Sequence, residues 1–139
     1  MAQKVSELMT SAPVTLSSGQ TVADAARAMR EAGIGDVLVM DDGQLKGLVT
    51  DRDIVMRVVA DGRDPGSTPV GEACSQDLVT VTPDDDADTA VQRMRERSVR
   101  RVPVVDNGRP VGVLSIGDMA IERDERSALA DISAEATNT

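Results

Sequence analysis

The 139-residue chain contains no Phe, Trp, Tyr or His and only one Cys. Each absence removes a class of function. Without histidine there is no Ser-His-Asp or Cys-His nucleophile system, no imidazole general base and no His-containing zinc site. Without aromatic rings there is no stacking platform of the kind that single-strand nucleic-acid binders use. Cys74 alone can neither close an intrachain disulfide nor build a multi-thiolate metal site. No apolar run approaches the roughly 20 residues that span a bilayer, and no basic stretch followed by a long apolar segment opens the chain. A cytoplasmic protein with no membrane association is expected. Cations are scarce too. Fifteen Lys+Arg against 24 Asp+Glu leave a net charge of −9, which repels phosphate backbones, so nucleic acid is not an expected partner.

What is present is a repeat. Sliding the sequence by 65 residues aligns Val5–Ile54 with Val70–Met119 without a gap, with about fourteen identities in fifty positions. Val14-Thr15 falls on Val79-Thr80, and Met29-Arg30-Glu31 on Met94-Arg95-Glu96. Val37-x-Val39-x-Asp41-x-Gly43 falls on Val102-x-Val104-x-Asp106-x-Gly108, and Gly47-x-x-Thr50-x-x-Asp53 on Gly112-x-x-Ser115-x-x-Asp118. The identities fall at turns and apolar positions, as a tandem duplication requires.

Each repeat reads β-α-β-β-α, an α/β (α+β) class. In the first, Val14–Leu16 is a strand. Val22, Ala25, Ala26 and Met29 give a helical stripe behind a Thr21/Asp24 capping box, and Gly33 and Gly35 end that helix. Val37–Met40 and Leu45–Val49 form a hairpin around Asp41-Asp42-Gly43, followed by a helix over Asp51–Ala60 with Ile54, Val55, Val58 and Val59 on one side. The second repeat copies this. Val79–Val81 is a strand, and a helix carries Ala87, Ala90, Val91 and Met94. Strands Val102–Val105 and Val111–Leu114 flank Asp106-Asn107-Gly108, and a last helix starts near Gly117. Repeat 1 covers residues 1–60, a loop-like linker 61–69, repeat 2 70–125, and a helix end and tail 126–139. Short segments Val5–Met9 and Val70–Cys74 precede the repeats. One repeat is too small to bury its sheet well, so two are expected to pack about a pseudo-two-fold axis, leaving clefts along the seam.

The chemical signal is the doubled Gly-x-x-[Ser/Thr]-x-x-Asp. Gly47 and Gly112 permit close backbone approach near the end of a strand. Thr50 and Ser115 stand at strand-to-helix junctions, with Asp53 and Asp118 in the first helical turn. A carboxylate there can accept two hydrogen bonds from a ribose diol, beside a helix N-terminus that favours phosphate. The same spacing is also an ordinary capping box. Both readings stand at this point.

These residues resemble a known family. Val5-Ser6-Glu7-Leu8-Met9-Thr10, the run Gly47-Leu48-Val49-Thr50-Asp51-Arg52-Asp53-Ile54, and Arg100-Arg101-Val102-Pro103-Val104-Val105-Asp106 leading to Gly112–Asp118 are similar to a cystathionine-β-synthase (CBS) domain pair. The resemblance spans both repeats. It implies a regulatory, non-enzymatic module that binds an adenosine nucleotide in the inter-repeat cleft, forms a homodimer through its helices and signals to a protein partner, like the short bacterial CBS-pair proteins, some of them stress-induced. Carried over by position, Asp53 and Asp118 would hold ribose hydroxyls and Thr50 and Ser115 ribose or phosphate. Thr15 and Thr80 would lie beside the base, Arg100 and Arg101 would contact phosphate, and Ile34, Val99, Val37 and Val102 would line the base pocket. The repeats depart from each other. Gly35-Asp36 and Leu38 stand where the second has Arg100-Arg101 and Pro103, and Arg52 stands where the second has Gly117. The two sites are therefore not expected to be equivalent, and a site drawing on Arg100 and Arg101 is favoured. No cofactor beyond the nucleotide ligand and no metal is implied. The alternative is a ligand-independent stress-response or protein-interaction dimer with a vestigial cleft.

The other features read as structural. Asp84-Asp85-Asp86 with Asp88 suits a helix start, a divalent-cation site being the alternative. Arg93, Arg95 and Arg97 form a solvated face, with anion contact second. Met9, Met29, Met56, Met94 and Met119 fill the core or a dimer interface, and Cys74, aligned with Met9, is a small buried apolar residue.

Overall fold

A computed structural model describes residues 3–76 and 78–123. The expected tail at 126–139 lies outside the described residues. In chain order the elements are α1 (Val5–Leu8), β1 (Thr10–Ser11), β2 (Thr15–Ser17), α2 (Val22–Ala32), β3 (Asp36–Asp41), β4 (Gln44–Thr50) and α3 (Asp51–Ile54). A π-helical turn over Val55–Val59 and a 3-10 turn over Val70–Glu72 follow, then α4 (Ala87–Arg97), β5 (Arg101–Asp106), β6 (Arg109–Ser115) and α5 (Ile116–Arg123). No helix among the described residues is long and apolar enough to cross a membrane.

Two compact units divide the chain, Val14–Asp77 and a second built from Met1–Pro13 with Leu78–Thr139. Each unit thus takes its leading segment from in front of the other repeat. In the Val14–Asp77 unit the sheet order is β2-β3-β4, with β2 parallel to β3 and β3 antiparallel to β4. The β3–β4 turn places Asp42 at φ 52° and Gly43 at φ 74°, the paired left-handed residues that match strand twist in a two-residue hairpin. Helix α2 starts on a reciprocal capping box between Thr21 and Asp24 and ends on Gly33 at φ 69°. Its buried face is Val22, Ala25 and Met29, with Ala28 packed alongside. Ala26, expected on that stripe, is exposed, because the buried face takes in Ala28 along with Val22, Ala25 and Met29 and so turns position 26 outward. The 61–69 loop is fastened to this helix. Its Thr68 and Pro65 carbonyls accept from the Val22 and Ala23 amides, two of the orphan donors of the first turn. Val70, Ala73 and Cys74 complete the core.

The helix after β4 departs from expectation. Beyond Ile54 it widens to π spacing, with the Ala60 amide on the Val55 carbonyl at 2.9 Å. Only Val58 is buried, whereas Val55, Met56 and Val59 are 55, 55 and 60% exposed. The apolar stripe is real but half of it faces outward.

In the second unit the sheet order is β1-β6-β5. Val5 and Leu8 of α1 pack with Ala87, Ala90 and Met94 of α4 and with Val102, Val104 and Leu114. The β5–β6 hairpin repeats the left-handed pair at Asn107 and Gly108. The expected strand at Val79–Val81 shrinks to one parallel bridge, Val81 to Val104. Pro103 explains the loss. In the first unit the Leu38 amide donates to the Val14 carbonyl at 2.9 Å, but Pro103 stands at the Leu38 position and has no N–H to offer Val79.

Candidate functional site

Each strand-to-helix junction carries the same hydrogen-bonded box. In the Val14–Asp77 unit the Asp53 amide donates to Thr50 Oγ1 at 3.1 Å and the Thr50 amide to Asp53 Oδ2 at 2.9 Å. In the other unit the Asp118 amide donates to Ser115 Oγ at 3.0 Å and the Ser115 amide to Asp118 Oδ2 at 2.9 Å. Capping and ligand recognition are compatible here, since the box uses one carboxylate oxygen and leaves the other, Oδ1, outside it.

The glycines before each box act as expected. A Cβ on Gly47 would lie 2.8 Å from the Ser75 carbonyl oxygen, and one on Gly112 2.7 Å from that of Thr10. The glycine is what lets a leading segment pair against β4 or β6, through the Leu48–Ser75 bridge and the Thr10–Val113 and Ser11–Gly112 pairs.

The two outer oxygens differ in surroundings. Asp53 Oδ1 faces the Arg57 Nε at 4.0 Å, and Arg57 also donates to the Ala73 carbonyl at 3.2 Å. Asp118 Oδ1 accepts from the Thr10 hydroxyl at 3.2 Å. Burial pushes the Asp118 carboxyl above its ordinary range, partly offset by the Ser115 and Thr10 hydrogen bonds and the Arg101 charge. Neither Thr10 nor Arg57 stands out as a site residue in the sequence. Arg57 had a signal, four residues beyond Asp53 on a helix, whereas Thr10 lies 108 residues from its partner.

Of the other sequence-derived residues, Thr15, Arg52, Thr80, Val99 and Arg100 are exposed, and Ile34 and Arg101 are half-buried. Val37 and Val102 are placed differently from the expected pocket lining. Both are buried in the cores of their own units, where they pack with the helix residues Val22, Ala25 and Met29 or Ala87, Ala90 and Met94. Pro103 is buried as well. Asp36 is buried at the start of β3, opposite Thr50. Arg93, expected on a solvated face, instead donates to the Thr80 carbonyl at 2.8 Å and approaches Asp85 at 3.5 Å. Asp85 and Asp86 are engaged within the protein, Asp85 by the Thr82 amide and Asp86 by Lys4. Cys74 is buried and its thiol pushed up by that burial. Among the described residues no group of three or more Cys, Asp or Glu side chains is arranged to hold a metal ion.

Comparison with known proteins agrees with this duplicated architecture. The CBS domain family matches twice, over residues 5–60 and 70–124. The CBS domain-containing protein YhcV of Bacillus subtilis is 40% identical over 133 residues, covering 93% of this chain and 94% of YhcV. Hypoxic response protein 1 of Mycobacterium tuberculosis is 33% identical, covering 92% of this chain and 90% of that protein. A crystal structure of Hypoxic Response Protein I with two coordinated zinc ions superposes with a TM-score of 0.76 over 85% of this chain and 97% of the other. The CBS domain pair of MJ0100, in complex with 5′-methylthioadenosine and S-adenosyl-L-methionine, shares the fold, with a TM-score of 0.82 at 22% identity over 91% of this chain and all of that one. The chain belongs to the CBS domain family and consists of two CBS domains in tandem.

Proposed function

We propose that this protein is a non-catalytic sensor that takes an adenosine nucleotide at its Thr50–Asp53 and Ser115–Asp118 boxes and passes occupancy to a protein partner. The observation that carries this reading is the doubled box, which in both units uses one carboxylate oxygen and keeps the other outside it, beside Arg57 for Asp53 and the Thr10 hydroxyl for Asp118. A ribose diol is the complement of such an oxygen, and Arg52, Arg57, Arg100 and Arg101 supply cations for phosphate. The adenosine-derived ligands of MJ0100 are in keeping with a fold that hosts such compounds. Binding would act by favouring one of two arrangements of the protein over the other.

The second copy of a homodimer is the proposed cover for Val55, Met56 and Val59, which follow Asp53 directly on the same helix. The boxes also close fully without a ligand, and this favours one competing reading, a ligand-independent interaction dimer. Calorimetry with AMP, ADP, ATP and S-adenosylmethionine decides between them. Sensing predicts binding that weakens in Asp53→Asn or Asp118→Asn. The absence of heat from all four compounds would overturn the sensing reading, and a dimer by sedimentation under the same conditions would support the ligand-independent one.

A further inference from the structure

A cavity of about 330 Å³ opens within the Val14–Asp77 unit, at the hairpin end of its sheet and so at the end opposite Asp36 and Thr50. Buried Val39 and Cys74 form its apolar part, and Ser18, Asp41, Lys46 and Glu72 supply its polar groups. Its volume is at the small end of the range for ligand pockets.

Two opposite charges line it without neutralising each other. Asp41 is held as a carboxylate by the Ser18 hydroxyl at 2.6 Å and the Ser18 amide at 3.2 Å. These hydrogen bonds, aided by the Lys46 charge, keep its carboxyl below the usual range. Lys46 sits in a β-bulge, since Val39 pairs with Gly47 while Met40 pairs with Leu45, leaving Lys46 as the extra residue on β4. Bulges redirect a side chain out of the ladder. Among the described residues the Lys46 ammonium makes no ion pair or hydrogen bond. Glu72 is already engaged by Arg63 at 2.6 Å.

The duplication supplies an internal comparison. At the corresponding positions the second unit has Pro83 for Ser18, Val111 for Lys46, Ser6 for Gly71 and Met9 for Cys74. The bulge recurs at Val111 but carries no charge there. Met9 sits over Gly112 as Cys74 sits over Gly47, 2.7 and 2.5 Å from where a Cβ would be. The fold therefore does not require the small thiol, the lysine or the serine; only one unit has them, and there they meet at a cavity.

We propose that this cavity binds a small zwitterion of the α-amino-acid class, its ammonium on Asp41, its carboxylate on Lys46 and its side chain against Val39 and Cys74. A simple anion would meet Asp41 and Glu72 unfavourably, and a simple cation would meet Lys46. A molecule bearing both charges satisfies both walls. The site is separate from the nucleotide boxes and does not depend on them.

The test is amide chemical-shift titration of the ¹⁵N-labelled protein with L-alanine, L-valine and L-methionine, with n-propylamine and propionate as single-charge controls. We expect saturable millimolar binding of at least one amino acid, with shifts around Ser18, Asp41, Lys46 and Cys74, and at least about tenfold weaker binding of either control. Cys74→Met, which places over Gly47 the side chain already accommodated over Gly112, should remain folded and abolish binding. Lys46→Val, taken from the matching position, should do the same through loss of charge. Neither should alter AMP binding. The proposal is overturned if no amino acid shifts these amides, if a single-charge control binds equally well, or if binding survives in Lys46→Val.

Discussion

Gly112→Ala tests how the leading segment is held against the second unit. A Cβ at this position would lie 2.7 Å from both Met9 Sδ and the Thr10 carbonyl oxygen, where ordinary contact begins at 3.4 Å. The thioether can swing aside, but the carbonyl belongs to the backbone of β1 and cannot. Strand β1 must move off β6, carrying the Thr10 hydroxyl away from Asp118. Overpacking of this kind costs about 1–3 kcal/mol, and the lost hydrogen bond about 1 kcal/mol more. A loss of about 2–4 kcal/mol follows, a large part of the roughly 5–15 kcal/mol that holds a typical domain, and it should lower the melting temperature by about 6–12 °C. With no aromatic residue the chain offers no intrinsic fluorescence, so urea unfolding is followed by far-ultraviolet circular dichroism. Gly19→Ala is the control. Nothing lies within 4 Å of its Cβ and its φ is not left-handed, so it should stay within about 0.5 kcal/mol of the parent. If Gly112→Ala unfolds with the control, the close approach of β1 does not hold the unit together.

Three further outcomes follow from the same geometry. The folded protein holds the Asp118 proton more tightly than the unfolded chain, whose carboxyl titrates near 3.8, so this group lowers stability at neutral pH and returns it as pH falls through the raised value; the stability difference between the parent and Asp118→Asn should therefore change as pH falls from neutral toward 3.8, and a constant difference would remove the argument. Pro103→Leu restores the N–H that Leu38 uses in the first unit, a gain of about 1 kcal/mol offset by a freer unfolded chain, so stability should barely change while the amide introduced at position 103 becomes protected from hydrogen exchange. Rapid exchange there would mean that Val79 is not its acceptor. Thr10→Val frees the outer oxygen of Asp118 and should strengthen nucleotide binding at that box severalfold by calorimetry, with the Asp53 box unaffected; unchanged affinity at both would show that the Thr10 hydroxyl does not compete.

The sequence was informative where local chemistry decides the outcome. Asp42-Gly43 and Asn107-Gly108 mark two-residue hairpins because few other residues adopt paired positive φ, and Thr21, Thr50 and Ser115 mark helix starts through a carboxylate three residues on. It was silent where a partner distant in the chain decides. The strand expected at Val79–Val81 fails because of a proline on the neighbouring strand. The apolar stripe beyond Asp53 could be seen, but not that Val55 and Val59 would be exposed while Val58 is buried, since π spacing shifts the helical register. The boxes were legible as a spacing. The hydroxyl on one outer oxygen and the guanidinium near the other were not, because they depend on which leading segment docks where.

That docking pattern has a consequence for synthesis on the ribosome. Val5 and Leu8 emerge before the rest of their own unit, yet the core they join includes Leu114 and Met119. The Val14–Asp77 unit can close while its successor is still being translated. The first thirteen residues meanwhile wait for about a hundred more, on the order of 5–20 s at ordinary elongation rates. During that interval an apolar leader has no groove of its own. On a crowded polysome, the β6 edge of a neighbouring chain whose own leader has not yet docked offers the same Gly112 gap, and a leader that enters it yields a strand-exchanged dimer held by native contacts.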